Sequence, residues 1–170
     1  MITWLIGLSG AGKSTIAARL YEHLKTHHAN LVLLDGDAFR EIFRNDLDHT
    51  IEGRYKNAER ISHMCRVLDS QNIHVIASVL SLFPEWQAWN RETFSEYFET
   101  FLDIPLKTLK LRDRKGLYKA FEEGKTVNVV GMDIPFPRPP APDLIIDEAL
   151  QERGIEACVE QLLFEMPPMK

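Results

Sequence analysis

Residues 7–15 read Gly-Leu-Ser-Gly-Ala-Gly-Lys-Ser-Thr, and no other stretch restricts the fold of this chain as tightly. The string follows the apolar run Ile2-Thr3-Trp4-Leu5-Ile6. It opens a segment in which Ile16, Ala17, Leu20 and Leu24 recur at helical spacing. It matches Gly-x-x-x-x-Gly-Lys-[Ser/Thr], a phosphate-binding loop between a buried strand and a helix. Glycines let the backbone close around phosphate oxygens. The free N–H groups at the helix start then point at the anion. Gly7, Ser9, Gly10, Ala11, Gly12, Lys13, Ser14 and Thr15 are therefore expected to hold a polyphosphate. Lys13 would reach its β- and γ-phosphates, and the Ser14 hydroxyl would ligate Mg²⁺. The chain is expected to bind ATP or GTP.

Strand-like runs recur along the chain at 2–6, 31–34, 73–79, 100–104 and 144–146. Most are apolar on both faces, the pattern of a parallel sheet covered on both sides. Helical patterns fall at 13–27, 38–45, 54–71, 85–98, 115–122 and 150–164. This alternation predicts an α/β fold, a doubly wound five-stranded parallel sheet with helices on both faces. Its ligands should lie outside the carboxyl ends of the strands. A length of 170 residues suits one such domain, 1–170. Five prolines fall between 135 and 142, which excludes helix and central strand there. That stretch is either a tether for the last strand or part of a cover over the site. Gly116, Gly124 and Gly131 flank a short basic helix and favour a lid over about 112–140.

Leu33-Leu34-Asp35-Gly36-Asp37 ends the second strand on the same crevice. One carboxylate can take the proton of an attacking hydroxyl, and the other can hold the water shell of Mg²⁺. Asp-Gly is also a common turn, and Asp37 could simply cap the next helix. Phosphoryl transfer demands mainly positioning and charge stabilisation, so one base, one Mg²⁺ and several cations suffice. Candidate cations are Arg40 and Arg44, then Arg54 and Arg60 with Asn57 along one helix face. A cluster of Lys110, Arg112, Arg114, Lys115 and Lys119 follows.

The net charge of −5 argues against duplex nucleic acid as a partner, since that needs an extended basic face. No apolar run is long enough to span a bilayer. Met1 leads straight into the first strand, leaving no room for a signal or transit peptide, and a cytoplasmic location is expected. Cys65 and Cys158 lack Cys-x-x-Cys spacing, and His23, His27, His28, His63 and His74 show no ligand spacing with acids, so no protein-caged metal is expected. The guanine-reading string Asn-Lys-x-Asp of a GTPase switch is absent. A degenerate kinase fold acting as a nucleotide-binding module is the non-catalytic alternative, which the intact Lys13, Ser14, Asp35 and Asp37 set disfavours.

Gly7 to Thr15, Leu34-Asp35-Gly36-Asp37, Ser78 to Ser81, and Arg112-Asp113-Arg114-Lys115-Gly116-Leu117-Tyr118-Lys119 together resemble the adenylylsulfate (APS) kinase family. The likeness runs from about Ile2 to Asp147. It implies a P-loop kinase that moves the γ-phosphate of ATP to the 3′-hydroxyl of a nucleotide. It implies Asp37 as the base nearest the acceptor hydroxyl, assisted by Asp35, with Mg²⁺ held by Ser14 and, partly through water, by Asp35. Arg40, Arg54 and Asn57 would hold the acceptor, Ser81 would line its site, and Lys115 would bridge phosphates from the lid. Lys13 and Arg112 would serve ATP. The family is often dimeric, though no feature of the sequence demands a homodimer.

The departures from the family pattern fall on the acceptor side. Two aromatics that clamp the acceptor's adenine in the family are replaced by His49 and Val129. The Asp usual before Arg54 is Gly53. Ser-Pro-x-Arg-x-x-Arg reads Ser81-Leu82-Phe83-Pro84-Glu85-Trp86-Gln87, so both arginines are gone and Trp86 and Trp89 have arrived. A tryptophan stripe at helical spacing more often packs in a core or an interface than against a base. Pro is also replaced by Arg114 before Lys115. Stacking a base between aromatics is worth roughly 1–3 kcal/mol per base. Its loss points to an acceptor other than APS, with a smaller base fitting His49 and Val129. The branch of the family that phosphorylates cytidine diphosphoramidate for capsule biosynthesis has such an acceptor. A divergent kinase still acting on APS for sulfate assimilation is the alternative.

Overall fold

A computed structural model describes residues 1–169. Five strands build the sheet: β1 (Ile2–Ile6), β2 (Leu31–Asp35), β3 (His74–Val79), β4 (Tyr97–Asp103) and β5 (Leu144–Asp147). They lie in the order β2-β3-β1-β4-β5, and every pairing is parallel. Every residue of β1 and β3 is buried, as expected for strands covered on both faces. The edge strands β2 and β5 instead mix buried and exposed positions.

Among the described residues, eight helices surround the sheet: α1 (Lys13–Lys25), α2 (Gly36–Ile42), α3 (Ile51–Asp69), α4 (Pro84–Thr93), α5 (Leu106–Arg112), α6 (Leu117–Glu122), α7 (Glu148–Glu152) and α8 (Ile155–Glu165). One core packs Leu5 with Ile16, Leu20 and Leu24 of α1, Leu109 of α5, Tyr118 of α6 and Leu162 of α8. The other core, on the opposite face, packs Ile2, Trp4 and Ile6 with Phe39 of α2 and Ile61 and Cys65 of α3. Alternate side chains of β1 thus feed two separate cores, which fixes helices to both faces.

Several boundaries differ from the sequence pattern, each for a local reason. The helix expected over 85–98 ends at Thr93, and Tyr97 already belongs to β4. The aromatic run 94–101 serves both periods, and pairing with β1 takes its second half. Helix α5 is not in the sequence reading. Its Lys107, Lys110 and Arg112 read as a basic run, while Leu109 alone is fully buried. The helix expected over 150–164 is two helices, broken at Gly154 with φ 104°. Helix α2 begins at Gly36 because the Asp35 carboxylate accepts from the amides of Asp37 and Ala38. Helix α3 begins at Ile51, where Thr50 caps the Gly53 amide.

Residues 112–140, expected as a lid, contain α6 and a long loop. Tyr118 of α6 is buried and donates from its hydroxyl to the Ser9 carbonyl at 2.9 Å. The Asp133 carboxylate caps the amides of Asn128 and Val129. No helix among the described residues is long and apolar enough to cross a membrane.

Candidate active site

The carboxyl ends of β1, β2 and β3 open onto one cavity of about 930 Å³. It is lined by Ser9, Gly10, Gly12, Lys13, Ser14 and Thr15 on one side and by Asp35, Asp37 and Ser78 at its floor. Of the expected phosphate-loop residues, Gly7 and Ala11 do not line it. The Ala11 methyl is fully buried in the core, and the two carbonyls accept hydrogen bonds from Lys13 and Gln151. A side chain at Gly7 would put its Cβ 3.1 Å from the Leu102 carbonyl, so glycine lets the loop lie closest on β4.

The reactive groups are pre-arranged by hydrogen bonds. The Lys13 ammonium donates to the carbonyls of Gly7 (2.7 Å) and Leu8 (2.9 Å). Burial pushes its pKa down to about 8, against the opposing pull of Asp37 and Asp35. The Ser14 hydroxyl donates to Asp35 Oδ2 at 2.6 Å and lies 3.3 Å from Ser78 Oγ. Asp35 therefore both starts α2 and holds the first serine of α1. The Lys115 ammonium spans from the 112–140 segment to Asp37 Oδ2 at 2.6 Å. That bond raises the Lys115 pKa. Burial alone would raise the Asp37 carboxyl, but the Lys115 bond, with Lys13 and His49 nearby, outweighs it and holds the carboxyl below its ordinary value.

The other end of the cavity carries Arg40, His49, Arg54, Asn57, Ser81 and Val129. Arg40 donates to the carbonyls of Leu47 and Asp48. Arg54 donates to the His49 carbonyl and to the Asn128 carbonyl, both at 2.8 Å, so one guanidinium ties α3 to loops on both sides of the cleft. His49 is pushed below its ordinary pKa by burial, then by Arg54 and Arg40. Val129 is 2 % exposed and belongs to the core that includes α1. Gly53 has no room for a side chain: a Cβ there would collide with the Asp48 carboxylate and lie 2.6 Å from its carbonyl oxygen.

The structure separates the candidate cations. Arg112, Arg114 and Lys115 line the cavity, whereas Lys110 pairs with Glu122. Arg60 makes a two-point bond with Asp46 and turns away. The tryptophans divide as well. Trp86 lines the cavity, while Trp89 packs against Phe94 and the α3 side core. One residue carried no sequence signal at all. Gln151 of α7 donates to the Ala11 carbonyl and accepts from Arg112 Nη1 at 2.6 Å, joining the phosphate loop to Arg112. Nothing local to α7 marks Gln151; only the fold brings it to the loop.

Hard oxygen donors converge at Ser14, Asp35 and Ser78, a set that suits Mg²⁺ completed by phosphate and water. No group of three or more His, Cys, Asp or Glu among the described residues is placed to hold a metal ion. The profile of the adenylylsulphate kinase family matches residues 1–147. The chain belongs to the adenylylsulfate kinase family. It is a phosphotransferase of that family with a P-loop kinase fold. A cytidine diphosphoramidate kinase of Campylobacter jejuni is 37% identical over 164 residues, covering 95% of this chain and 95% of that protein. An adenylyl-sulfate kinase of Paraburkholderia xenovorans is 38% identical over 165 residues, covering 95% of this chain and 92% of its own. The structure of the Mycobacterium tuberculosis APS kinase in complex with AMPPNP and APS superimposes with a TM-score of 0.85 at 30% identity, over 96% of this chain and 95% of that one. In this adenylylsulfate kinase family member Lys13, Ser14, Asp35 and Asp37 gather at one end of the cleft, while His49, Trp86 and Val129 line the other.

Proposed function

We propose that the protein transfers the γ-phosphoryl group of ATP to a ribose hydroxyl, the 3′-hydroxyl, of a nucleotide other than APS, with cytidine diphosphoramidate as the leading acceptor. ATP lies along residues 7–15, its terminal phosphate near Lys13 and its base toward Arg112. Ser14 and Asp35 would hold Mg²⁺, which would supply charge neutralisation for the phosphates. Asp37 accepts the proton of the acceptor hydroxyl, whose oxygen bonds to the γ-phosphorus while the bond to the β-phosphate oxygen breaks. Lys115 steadies the transferring group from the 112–140 segment. Arg40, Arg54 and Asn57 hold the acceptor's own phosphates and sugar.

One observation carries the choice of acceptor: His49 offers only a small imidazole and the core-buried Val129 no ring at all, so this pair is not the two large aromatic faces that sandwich a purine. The cytidine diphosphoramidate kinase relative gives that choice a precedent at 37% identity. The adenylyl-sulfate kinase relative at 38% keeps APS as the competing acceptor. The test is a panel of APS, cytidine diphosphoramidate, CDP, UDP and ADP with ATP and Mg²⁺. Cytidine diphosphoramidate is expected to give the highest kcat/KM. Robust phosphorylation of APS alone would overturn the proposal, and chelation of Mg²⁺ should stop turnover with any acceptor.

A further inference from the structure

The acceptor's phosphates and hydroxyl find partners in the reading above, but its base does not. The cavity beyond Arg40, Arg54 and Asn57 is walled by Phe83 and Trp86. Both rings are half-buried, packed on one side and open to the cleft on the other. Aromatic side chains back both rings, and Phe83 also packs against the cluster of Leu82, Val130 and Ile134. Tyr55 of α3 meets the Phe83 ring edge-on at 5.0 Å and the Trp86 ring at 5.9 Å. His63 and Trp89 hold the rear of Trp86 at 5.8 and 5.4 Å. Edge-to-face packing of this kind fixes ring orientation.

The loop that presents this wall is itself clamped. Ser81 sits at φ 51°, an unusual conformation for a residue with a side chain. The Gln87 amide donates to the Ser81 carbonyl at 3.0 Å, and the Trp4 indole donates to the Ser81 hydroxyl at 3.2 Å. Pro84 then starts α4 directly behind Phe83. The Trp86 Nε1 is buried and finds no hydrogen-bond partner in the protein, so the cleft meets the indole through its ring and not through its donor. A rigid ring beside a group of cations is the chemistry that accepts a nucleotide: base against the ring, phosphates against the cations.

We propose that Trp86, supported by Phe83, is the platform on which the acceptor's nucleobase stacks, and that this single-sided wall determines which acceptors the enzyme takes. The inference rests on the acceptor being a nucleotide bound in this cleft. It assigns to the start of α4 the base contact that His49 and Val129 do not make.

The test uses the full-length protein with Trp86→Leu, Trp86→Phe and Phe83→Leu, read by steady-state kinetics and by tryptophan fluorescence on adding CDP or ADP. Trp86→Leu is expected to raise the KM of the acceptor about tenfold or more while the KM of ATP stays within about twofold. Trp86→Phe restores most of that KM yet loses the fluorescence change that CDP produces in the unaltered protein. An unchanged acceptor KM in a folded Trp86→Leu protein, or a CDP signal that survives in Trp86→Phe, overturns the platform. Should Trp86→Leu fail to fold, Phe83→Leu and the fluorescence of Trp86→Phe decide the matter. Failure of every nucleotide to be phosphorylated sinks the proposed function instead. The fluorescence needs no turnover, and silence toward both CDP and ADP sinks the platform by itself.

Discussion

The donor end and the acceptor end of the cleft are built from different materials. The donor end is backbone: glycines against β4, amides at the start of α1, and carbonyls of Gly7, Leu8 and Ala11 gripped by Lys13 and Gln151. The acceptor end is side chain: Arg40 and Arg54 bracing loops, His49 and Trp86 facing the cavity, Val129 withdrawn into the core. Backbone geometry serves any polyphosphate and tolerates little change, because a Cβ at Gly7 meets the Leu102 carbonyl at 3.1 Å and Gly12 sits at φ 92°, which side chains rarely adopt. A wall of side chains can be exchanged residue by residue without disturbing the sheet. One fold can therefore keep its phosphate donor and change its acceptor.

Four measurements would break or sharpen this contrast. The largest effect is expected at Lys13. Lys13→Ala should reduce kcat/KM on the order of a thousandfold by removing the one ammonium buried against the transferred phosphate, while an acceptor analogue still binds. A comparable loss of acceptor binding would show that the two ends are not separable. Asp37→Asn comes next, lowering kcat about a hundredfold with ATP affinity nearly unchanged; full turnover in that variant would remove Asp37 from proton transfer.

The third measurement concerns stability at the acceptor end. Gly53→Asp should destabilise the fold by about 1–3 kcal/mol, because the new Cβ meets Asp48. Thermal unfolding reads this directly, and an unchanged midpoint would mean that the 46–50 loop yields easily. The smallest effect is in pH. With its pKa lowered to about 8, Lys13 is charged below that value and loses its proton as the pH rises through it. ATP affinity should therefore fall about three- to tenfold between pH 7 and 9. Proton uptake should accompany ATP binding near pH 8, since the phosphates favour the charged lysine. Calorimetry in buffers of different ionisation enthalpy would show it, and a flat affinity profile would contradict it.

Much of the donor end was legible in the linear chain, because a strand, a glycine loop and a helix are contiguous and each follows local rules. The apolar run 2–6, the spacing of Ile16, Ala17, Leu20 and Leu24, and the acids at 35 and 37 all lie where their local patterns place them. Helix α5 was hidden because its charged face reads as a solvated run and only Leu109 is deeply buried. The start of β4 was hidden because an aromatic run has no single period, and only pairing with β1 decides it.

What remained for the tertiary structure was every contact between distant segments. Gln151 meets Ala11 across 140 positions, Lys115 meets Asp37 across 78, and Arg54 meets Asn128 across 74. No periodicity or propensity encodes such pairs, since they exist only once the parallel crossovers bring the strand ends to one rim. Likewise the two tryptophans, three residues apart on one helix, could not be told apart by spacing. Both rings meet His63 of α3, but Trp89 packs on toward Phe94 and the core beside it, whereas Trp86 stays on the cavity wall.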